Sequence, residues 1–120
     1  MVSASILCLA LTLYHEARGE PLRGQEAVAE VVLNRVEKRN KSVCQVVYEP
    51  NQFSWAKKAS RTPPKNETFE KCEQVAKKIL TGDKPNYTNG AEYFYSTSIN
   101  VPRKATNRTR IGNHVFFNQE

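Results

Sequence analysis

Apolar positions spaced three and four residues apart predict a first helix near the start of the chain. One face of this helix carries, in order, Leu9, Thr12, Leu13 and Glu16, because residues at these spacings lie above one another on an α-helix. Gly19 and Pro21 follow and are typical of a helix end. The pattern therefore places a carboxylic acid at the carboxyl end of an apolar stripe.

A second helix is predicted from Leu22 to Lys38. Its polar residues form one stripe, which consists of Glu26, Glu30, Asn34, Glu37 and Lys41. Most other positions are Val, Ala or Leu, so we expect a central, buried helix with its glutamates on the outer face. Asn34 and the neighbouring Arg35 could support a functional site or serve as structural hydrogen-bonding groups.

A third helix is predicted from Glu67 to Leu80, between the capping residues Asn66 and Gly82. A basic, proline-bearing loop from Lys57 to Lys65 precedes it. The inner face of the third helix is apolar and consists of Phe69, Cys72, Val75, Ala76, Ile79 and Leu80.

Two short strands are predicted near Ala91 to Ser96 and near His114 to Asn118. Each follows a pair of turn residues, Asn89-Gly90 for the first and Gly112-Asn113 for the second. We expect the two strands to pair as a small antiparallel sheet.

Length and charge restrict the picture further. A chain of 120 residues is expected to form one domain, residues 1–120. Its net charge is +6, and no acidic residue occurs from Tyr93 to Gln119, where four basic residues cluster: Arg103, Lys104, Arg108 and Arg110. This cluster is typical either of a surface for a polyanion, such as nucleic acid or a bacterial cell wall, or of a solvated face.

Glu16 is the first candidate for catalysis. The negative end of the helix dipole and apolar neighbours both favour a protonated carboxyl group, as a general acid requires. Arg18 would act in the opposite direction if its guanidinium turned towards the acid, so the sequence leaves the direction of the pKa shift open.

No partner acid for Glu16 is evident. The only aspartate, Asp83, lies in a Gly-Asp-Lys turn, and the orientation of Glu20 is left open by the glycine before it. This favours a single-acid mechanism, in which Glu16 acts first as an acid and then as a base.

Several segments of the chain resemble the cell-wall hydrolase family of the SleB type, the spore-cortex-lytic and phage-borne enzymes that cleave peptidoglycan. The similar segments run in order from about Cys8 to Phe117 and are Tyr14–Pro21, Gly24–Val36, Val43–Tyr48, Gln52–Trp55, Gly90–Tyr95 and Ile111–Phe117. The resemblance implies a mainly helical, lysozyme-like α+β domain with a small antiparallel sheet. It also implies cleavage of the β-1,4 bond between N-acetylmuramic acid and N-acetylglucosamine, by a muramidase or lytic transglycosylase with Glu16 as acid and base.

The side-chain chemistry of the chain indicates five candidate substrate-binding residues, and the resemblance supports Gln52 among them. Gln52, Ser54 and Trp55 combine an amide, a hydroxyl and a large ring, which suit the hydroxyl edges and apolar faces of sugars, although Trp55 could instead cover the core. Tyr95 and His114 are the polar strand residues that we expect to face the cleft, with a surface position as the alternative for His114.

The three cysteines, Cys8, Cys44 and Cys72, show no metal-ligand spacing, so we expect no metal and no cofactor. The resemblance implies that Cys8 and Cys44 can form a disulfide in an oxidising compartment, with buried free thiols as the alternative. Two other functions stay open: a Cys/His amidase or peptidase that uses His15 or His114, and a small basic nucleic-acid-binding protein.

The apolar run from Ile6 to Leu13 is too short to span a bilayer, and neither a basic segment before it nor a cleavage site after it is present. We therefore expect no signal peptide and no stable membrane insertion. Together with the resemblance, this favours an endolysin-like monomer made in the bacterial host cytoplasm and acting on the cell wall or periplasm. The alternative is a bacterial catalytic domain separated from its signal and binding module, which would show the same pattern. The expected partner of this chain is the peptidoglycan glycan strand rather than nucleic acid.

Overall fold

The computed structural model describes residues 3–50, 52–57, 62–82 and 84–119. Helices come first and strands last along the chain. The elements are α1 (Ala4–Ala17), α2 (Leu22–Arg39), α3 (Val43–Val47), a 3-10 turn (Ser54–Lys57), α4 (Glu67–Thr81), β1 (Tyr93–Ser96), β2 (Ala105–Ile111) and β3 (His114–Gln119). The predicted mainly helical α+β domain with a small antiparallel sheet is confirmed.

The first two helices build the core. Helix α1 begins after Ser3, whose side chain accepts a hydrogen bond from the backbone of Ile6, and every residue from Cys8 to Leu13 is buried. Helix α2 contacts the other three helices and the strands β1 and β2, as expected for a helix that is apolar over most of its circumference. Because α2 joins the helices to the sheet, it fixes the sheet relative to the carboxyl end of α1.

The glutamates of α2 do not all face outward, so that prediction is wrong at Glu30, whereas Asn34 takes the structural hydrogen-bonding role that the sequence left open. Glu30 is 1% exposed, and its carboxylate accepts hydrogen bonds from the backbone of Tyr87 and from the backbone and hydroxyl of Thr88. Asn34 donates to the carbonyl oxygen of Ala91 at 2.8 Å. Buried polar groups need partners, and the segment before β1 supplies them.

Helix α4 follows the predicted pattern. The side chain of Asn66 caps its amino end by accepting a hydrogen bond from the backbone of Phe69 at 2.8 Å, and its buried residues are Phe69, Cys72, Ala76 and Ile79. The predicted loop before it, from Lys57 to Lys65, is described only for residue 57, which ends the 3-10 turn, and for residues 62–65, and Asp83 lies outside the described residues.

The sheet has three antiparallel strands in the order β1-β3-β2. The two predicted strands pair directly, with Phe94 opposite Phe116 and Ser96 opposite His114. Strand β2 is missing from the sequence prediction because its residues are mostly polar. The pair Gly112-Asn113 was interpreted only as a turn that precedes β3. A two-residue turn of this kind normally joins two strands, so the signal for β2 was present.

A disulfide joins Cys8 in α1 to Cys44 in α3. The bridge implied by the resemblance is therefore confirmed. Cys72 is a free, buried thiol on the inner face of α4.

Candidate active site

Glu16 lies in the last turn of α1, where the helix reaches the sheet. Its side chain is half-buried, and this burial raises the pKa of the Glu16 carboxyl above its ordinary value. Within the described ranges, no side chain or backbone group hydrogen-bonds or ion-pairs with this carboxyl. The direction that the sequence left open is therefore upward, and desolvation is the cause.

Arg18 does not turn towards the acid. Its guanidinium lies over the ring of Tyr14, 4.5 Å from the ring centre, and donates a hydrogen bond to the carbonyl oxygen of Tyr14 at 3.0 Å. The guanidinium of Arg18 is therefore bound to Tyr14, one turn back along α1. It does not lower the pKa of Glu16.

A cleft of about 590 Å³ opens beside Glu16. Its walls come from the end of α1, the segment after α3, strand β1 and both ends of β3. The lining residues are Glu16, Arg35, Gln52, Phe53, Ser54, Tyr93, Phe94, Tyr95, Ser96, Ile99, His114 and Gln119. Aromatic faces and hydrogen-bonding edges thus surround a single carboxyl group.

A second, smaller hollow of about 290 Å³ also has Glu16 in its lining. It is lined by residues 15–20 together with Ser96, Asn113 and His114. Glu16, Ser96 and His114 line both spaces. An extended chain could therefore occupy both spaces and pass Glu16 in the middle.

Four of the five predicted substrate-binding residues line the larger cleft with Glu16: Gln52, Ser54, Tyr95 and His114. Trp55 does not. Its side chain is buried, with 7% exposed, and its ring stacks on that of His15, with 4.6 Å between ring centres. The ring also stacks on Phe53, with 6.0 Å between ring centres. The large ring is buried in the core because its apolar area is best removed from water there, which was the alternative for Trp55.

Glu20 fixes the turn between β2 and β3. Its carboxylate accepts hydrogen bonds from the backbone of Asn113 at 2.7 Å and from its side-chain amide at 3.1 Å. The same carboxylate lies 3.5 Å from Nδ1 of His114, without hydrogen-bonding geometry. This acid therefore attaches the sheet to the end of α1 and is not free for chemistry.

His114 lies at the boundary between the two spaces, on the first residue of β3. Burial lowers the pKa of His114, and the carboxylate of Glu20 opposes that shift only in part. Its ring packs edge-on against Phe94, with 5.0 Å between ring centres. A neutral imidazole is therefore favoured at pH 7, so His114 can act as a hydrogen-bonding group beside Glu16.

Arg35, for which the sequence left a site-supporting role open, lines the cleft. It is 5% exposed; its Nε donates to the carbonyl oxygen of Glu92 at 2.7 Å, and its guanidinium lies 5.7 Å from the ring centres of Phe53 and Tyr93. Sequence reasoning missed six other lining residues: Phe53, Tyr93, Phe94, Ser96, Ile99 and Gln119. Four of these six lie in the paired strands β1 and β3, so the sheet brings them to the cleft.

The positions of the three cysteines do not support a Cys/His amidase or peptidase. Cys8 and Cys44 are bonded to each other, and burial raises the pKa of Cys72, which keeps it a neutral thiol. None of the three lines the cleft. Among the described residues, no group of three or more metal-binding side chains occurs, and no helix combines the length and apolar character needed to cross a bilayer.

Comparison with known proteins finds a matching family and several relatives. A family model described as Cell Wall Hydrolase matches residues 19–117. Spore cortex-lytic enzymes are 33% identical over 118 residues in Halalkalibacterium halodurans, covering 94% of this chain and 34% of the relative, and 33% identical over 116 residues in Bacillus cereus, covering 92% and 43%. The chain thus spans well under half of the length of these relatives.

Two solved structures have a similar fold. The catalytic domain of the germination-specific lytic transglycosylase SleB from Bacillus anthracis matches with a TM-score of 0.74 and 29% identity, over 94% of this chain and 93% of that one. The catalytic domain of the Bacillus cereus SleB protein matches with a TM-score of 0.72 and 29% identity, over 94% and 88%. The similarity therefore covers nearly the whole of both catalytic domains.

Proposed function

This chain belongs to the cell wall hydrolase family, and we propose that it cleaves the β-1,4 bond between N-acetylmuramic acid and N-acetylglucosamine in peptidoglycan. The main support is Glu16, whose carboxyl has a pKa raised by burial and lies between two spaces large enough for sugars. A glycan strand bound across both spaces would bring one glycosidic oxygen to this acid. A protonated carboxyl there can act as the general acid.

The reaction uses one carboxyl group. Enzymes with two catalytic carboxylates hold them about 5–9.5 Å apart across the bond to be cleaved. Of the residues lining the two spaces, only Glu16 and Glu20 are acidic, and the carboxylate of Glu20 is bonded to Asn113. Glu16 therefore serves first as acid and then as base.

We propose the lytic transglycosylase outcome. Glu16 gives its proton to the glycosidic oxygen as the bond from that oxygen to C1 of the muramyl residue breaks. The Glu16 carboxylate then takes the proton of the C6 hydroxyl of the same muramyl residue, whose oxygen bonds to C1. The products are an anhydromuramic end and a free N-acetylglucosamine end, and no water is consumed. The solved domain from Bacillus anthracis, described as a lytic transglycosylase, supports this choice over hydrolysis.

The cleft suits a sugar chain chemically. Three aromatic residues of β1, Tyr93, Phe94 and Tyr95, line the space, and sugars offer apolar faces that pack on aromatic rings. Gln52, Ser54 and Gln119 supply hydrogen-bonding edges for hydroxyl and N-acetyl groups.

Product analysis tests this function. Purified peptidoglycan is digested with the protein, and the released fragments are separated and weighed by mass spectrometry. We expect anhydromuramic ends, each lighter by one water than a reducing end. Reducing muramic ends would instead identify a muramidase, while freed stem peptides with intact glycan strands would contradict glycan cleavage and favour an amidase or peptidase.

A further inference from the structure

Strand β2, an edge strand of the sheet, and the turn before it carry four basic residues. We call this group the basic edge and define it as Arg103, Lys104, Arg108 and Arg110. All four residues are exposed. They lie in β2 or in the turn before it, and β2 is the strand at one side of the sheet. The whole stretch from Tyr93 to Gln119 contains no acidic residue, so its charge is not neutralised locally.

The structure gives the basic edge no ion pair among the described residues. Arg108 and Arg110 donate instead to the backbone carbonyl oxygens of Pro102 and Gly112, at 3.3 and 3.4 Å. Several other cations of the chain are paired, Lys38 and Arg39 with Glu92 and Lys84 with Glu37. The basic edge therefore combines four exposed cations that have no ion pair among the described residues and no acidic residue near them along the chain.

The geometry of β2 suits an extended polyanion. Arg108 and Arg110 flank Thr109 in the strand, and both are exposed whereas Thr109 is half-buried. Three of the four cations are arginines, whose guanidinium groups bind phosphate through paired hydrogen bonds. A linear polymer with regularly spaced phosphates can thus meet several cations in succession.

The basic edge also lies next to the candidate active site. Strand β2 leads directly into the turn at Gly112 and Asn113, and Asn113 lines the smaller space beside Glu16. A polymer held on β2 would therefore run past one end of the glycan-binding cleft.

We propose that the basic edge binds the anionic phosphodiester polymers of the bacterial cell wall and holds the domain beside its glycan substrate. The choice of a wall polymer over nucleic acid rests on the proposed function. Attachment to a polyanion raises the local concentration of the enzyme at the wall and is weakened by salt.

Binding to intact and stripped walls tests the proposal. The basic-edge variant replaces Arg103, Lys104, Arg108 and Arg110 with Gln. The matched control replaces four exposed lysines in or just before α4, Lys65, Lys71, Lys77 and Lys78, also with Gln. Each variant changes the net charge from +6 to +2, since four positive charges are removed. Binding is measured by co-sedimentation with cell walls and with walls from which hydrofluoric acid has removed the phosphodiester polymers.

We expect wild-type protein and control to bind intact walls at least about tenfold more tightly than stripped walls, with affinity falling as salt rises. The basic-edge variant should bind both wall preparations equally weakly. Equal loss of binding in both variants, equal binding of wild-type protein to intact and stripped walls, or tighter binding to duplex DNA than to intact walls would each overturn the proposal.

Activity separates this proposal from the proposed function. Stripped walls still contain the glycan strands, so the basic-edge variant should cleave them at the wild-type rate. If wild-type protein fails to cleave stripped walls, the proposed function fails while the binding result is still interpretable. Cleavage of stripped walls without a difference in binding would overturn only the basic-edge proposal.

Discussion

At the scale of single residues, the protonation of Glu16 depends on which neighbour dominates. The sequence places a helix end, apolar residues and Arg18 close to the acid, and these have opposing effects. In the structure, Arg18 is held over Tyr14 by a hydrogen bond and ring contact. Burial therefore decides the direction of the pKa shift, and the pKa of the Glu16 carboxyl is raised.

We expect Glu16→Gln to abolish wall cleavage while the protein stays folded. Loss of a general acid alone reduces rates by about 10²–10⁴-fold, and here the same carboxyl also acts as the base. In the wild-type protein, the proton-donor form is lost as pH rises through the raised pKa, so kcat should fall on the alkaline side. Release of soluble fragments from peptidoglycan measures both effects. The control is Glu70→Gln on the exposed surface of α4, and wild-type activity in Glu16→Gln would contradict the assignment.

The raised pKa also predicts how stability depends on pH. Because the Glu16 carboxyl has a pKa above 4.5 in the folded state, the folded protein binds this proton more tightly than the unfolded chain does. The contribution of Glu16 to the free energy of unfolding is then largest at low pH and decreases as pH rises through the raised pKa. We expect Glu16→Gln to melt at a higher temperature than wild-type protein at about pH 7, and at the same temperature at about pH 4. A lower melting temperature at about pH 7 would show that the charge is not desolvated.

At the scale of elements, the turn between β2 and β3 depends on a close fit to Glu20. Gly112 has φ +58°, and a Cβ there would lie 2.6 Å from Oε1 of Glu20. Both the left-handed backbone and the close approach therefore favour glycine. The hydrogen bonds that Glu20 accepts from Asn113 in this turn join the end of α1 to the sheet.

Gly112→Ala should destabilise the protein and lower activity. The left-handed conformation costs a non-glycine residue about 1–2 kcal/mol, and the new Cβ also displaces the Glu20 carboxylate. Gly90→Ala is the matched control, because Gly90 has φ +78° and a Cβ added there would meet nothing within 4 Å. Urea unfolding should show a larger loss of stability for Gly112→Ala, and wall cleavage should fall for that variant alone. Equal effects on both would mean that only backbone strain matters.

Glu20→Gln should retain measurable turnover. The amide oxygen of Gln can still accept the hydrogen bond from the backbone of Asn113, so the turn can stay attached to α1. If Glu20 were instead a catalytic carboxylate, the variant would be as inactive as Glu16→Gln. Comparison of the two variants in the same cleavage assay distinguishes a positioning residue from a catalytic one.

At the scale of the whole molecule, chain length and compactness agree. The radius of gyration is 13.5 Å, close to the value of about 13.6 Å expected for a folded domain of this size. One apolar cluster extends from α1 through α2 and α4 to Phe116 of β3. The cleft lies where this cluster ends, between the helices and the sheet.

The Cys8–Cys44 disulfide should stabilise this whole assembly. It closes a loop with a sequence separation of 36 residues, and a crosslink of that length restricts the unfolded chain by about 2–4 kcal/mol. We expect reduction by dithiothreitol to lower the free energy of unfolding by that amount in denaturant titrations. A Cys8→Ala/Cys44→Ala variant is the control, since the reductant should not change its stability. Identical midpoints for oxidised and reduced wild-type protein would contradict a stabilising role.

Local pattern was sufficient for most of the helices and for two strands. Asn66 and Gly82 defined α4 because caps act on neighbouring backbone groups. Strand β2 was not predicted because its mostly polar residues show little alternation of apolar and polar positions. Helix α3 was not predicted because five residues are too few for a periodic signal. Glu30 was assigned to the solvent because a polar stripe shows only that residues share a face.

The sequence by itself determined three of the four α-helices and two of the three strands, the acid at the end of α1 and the basic cluster from Arg103 to Arg110, because each depends on residues close together in the chain. Only the tertiary structure decided that Arg18 turns away from Glu16, that Glu20 holds Asn113 and that Trp55 packs on His15. These outcomes depend on burial and on partners as far as 93 residues away. Such contacts exist only after α2 has brought the sheet against α1.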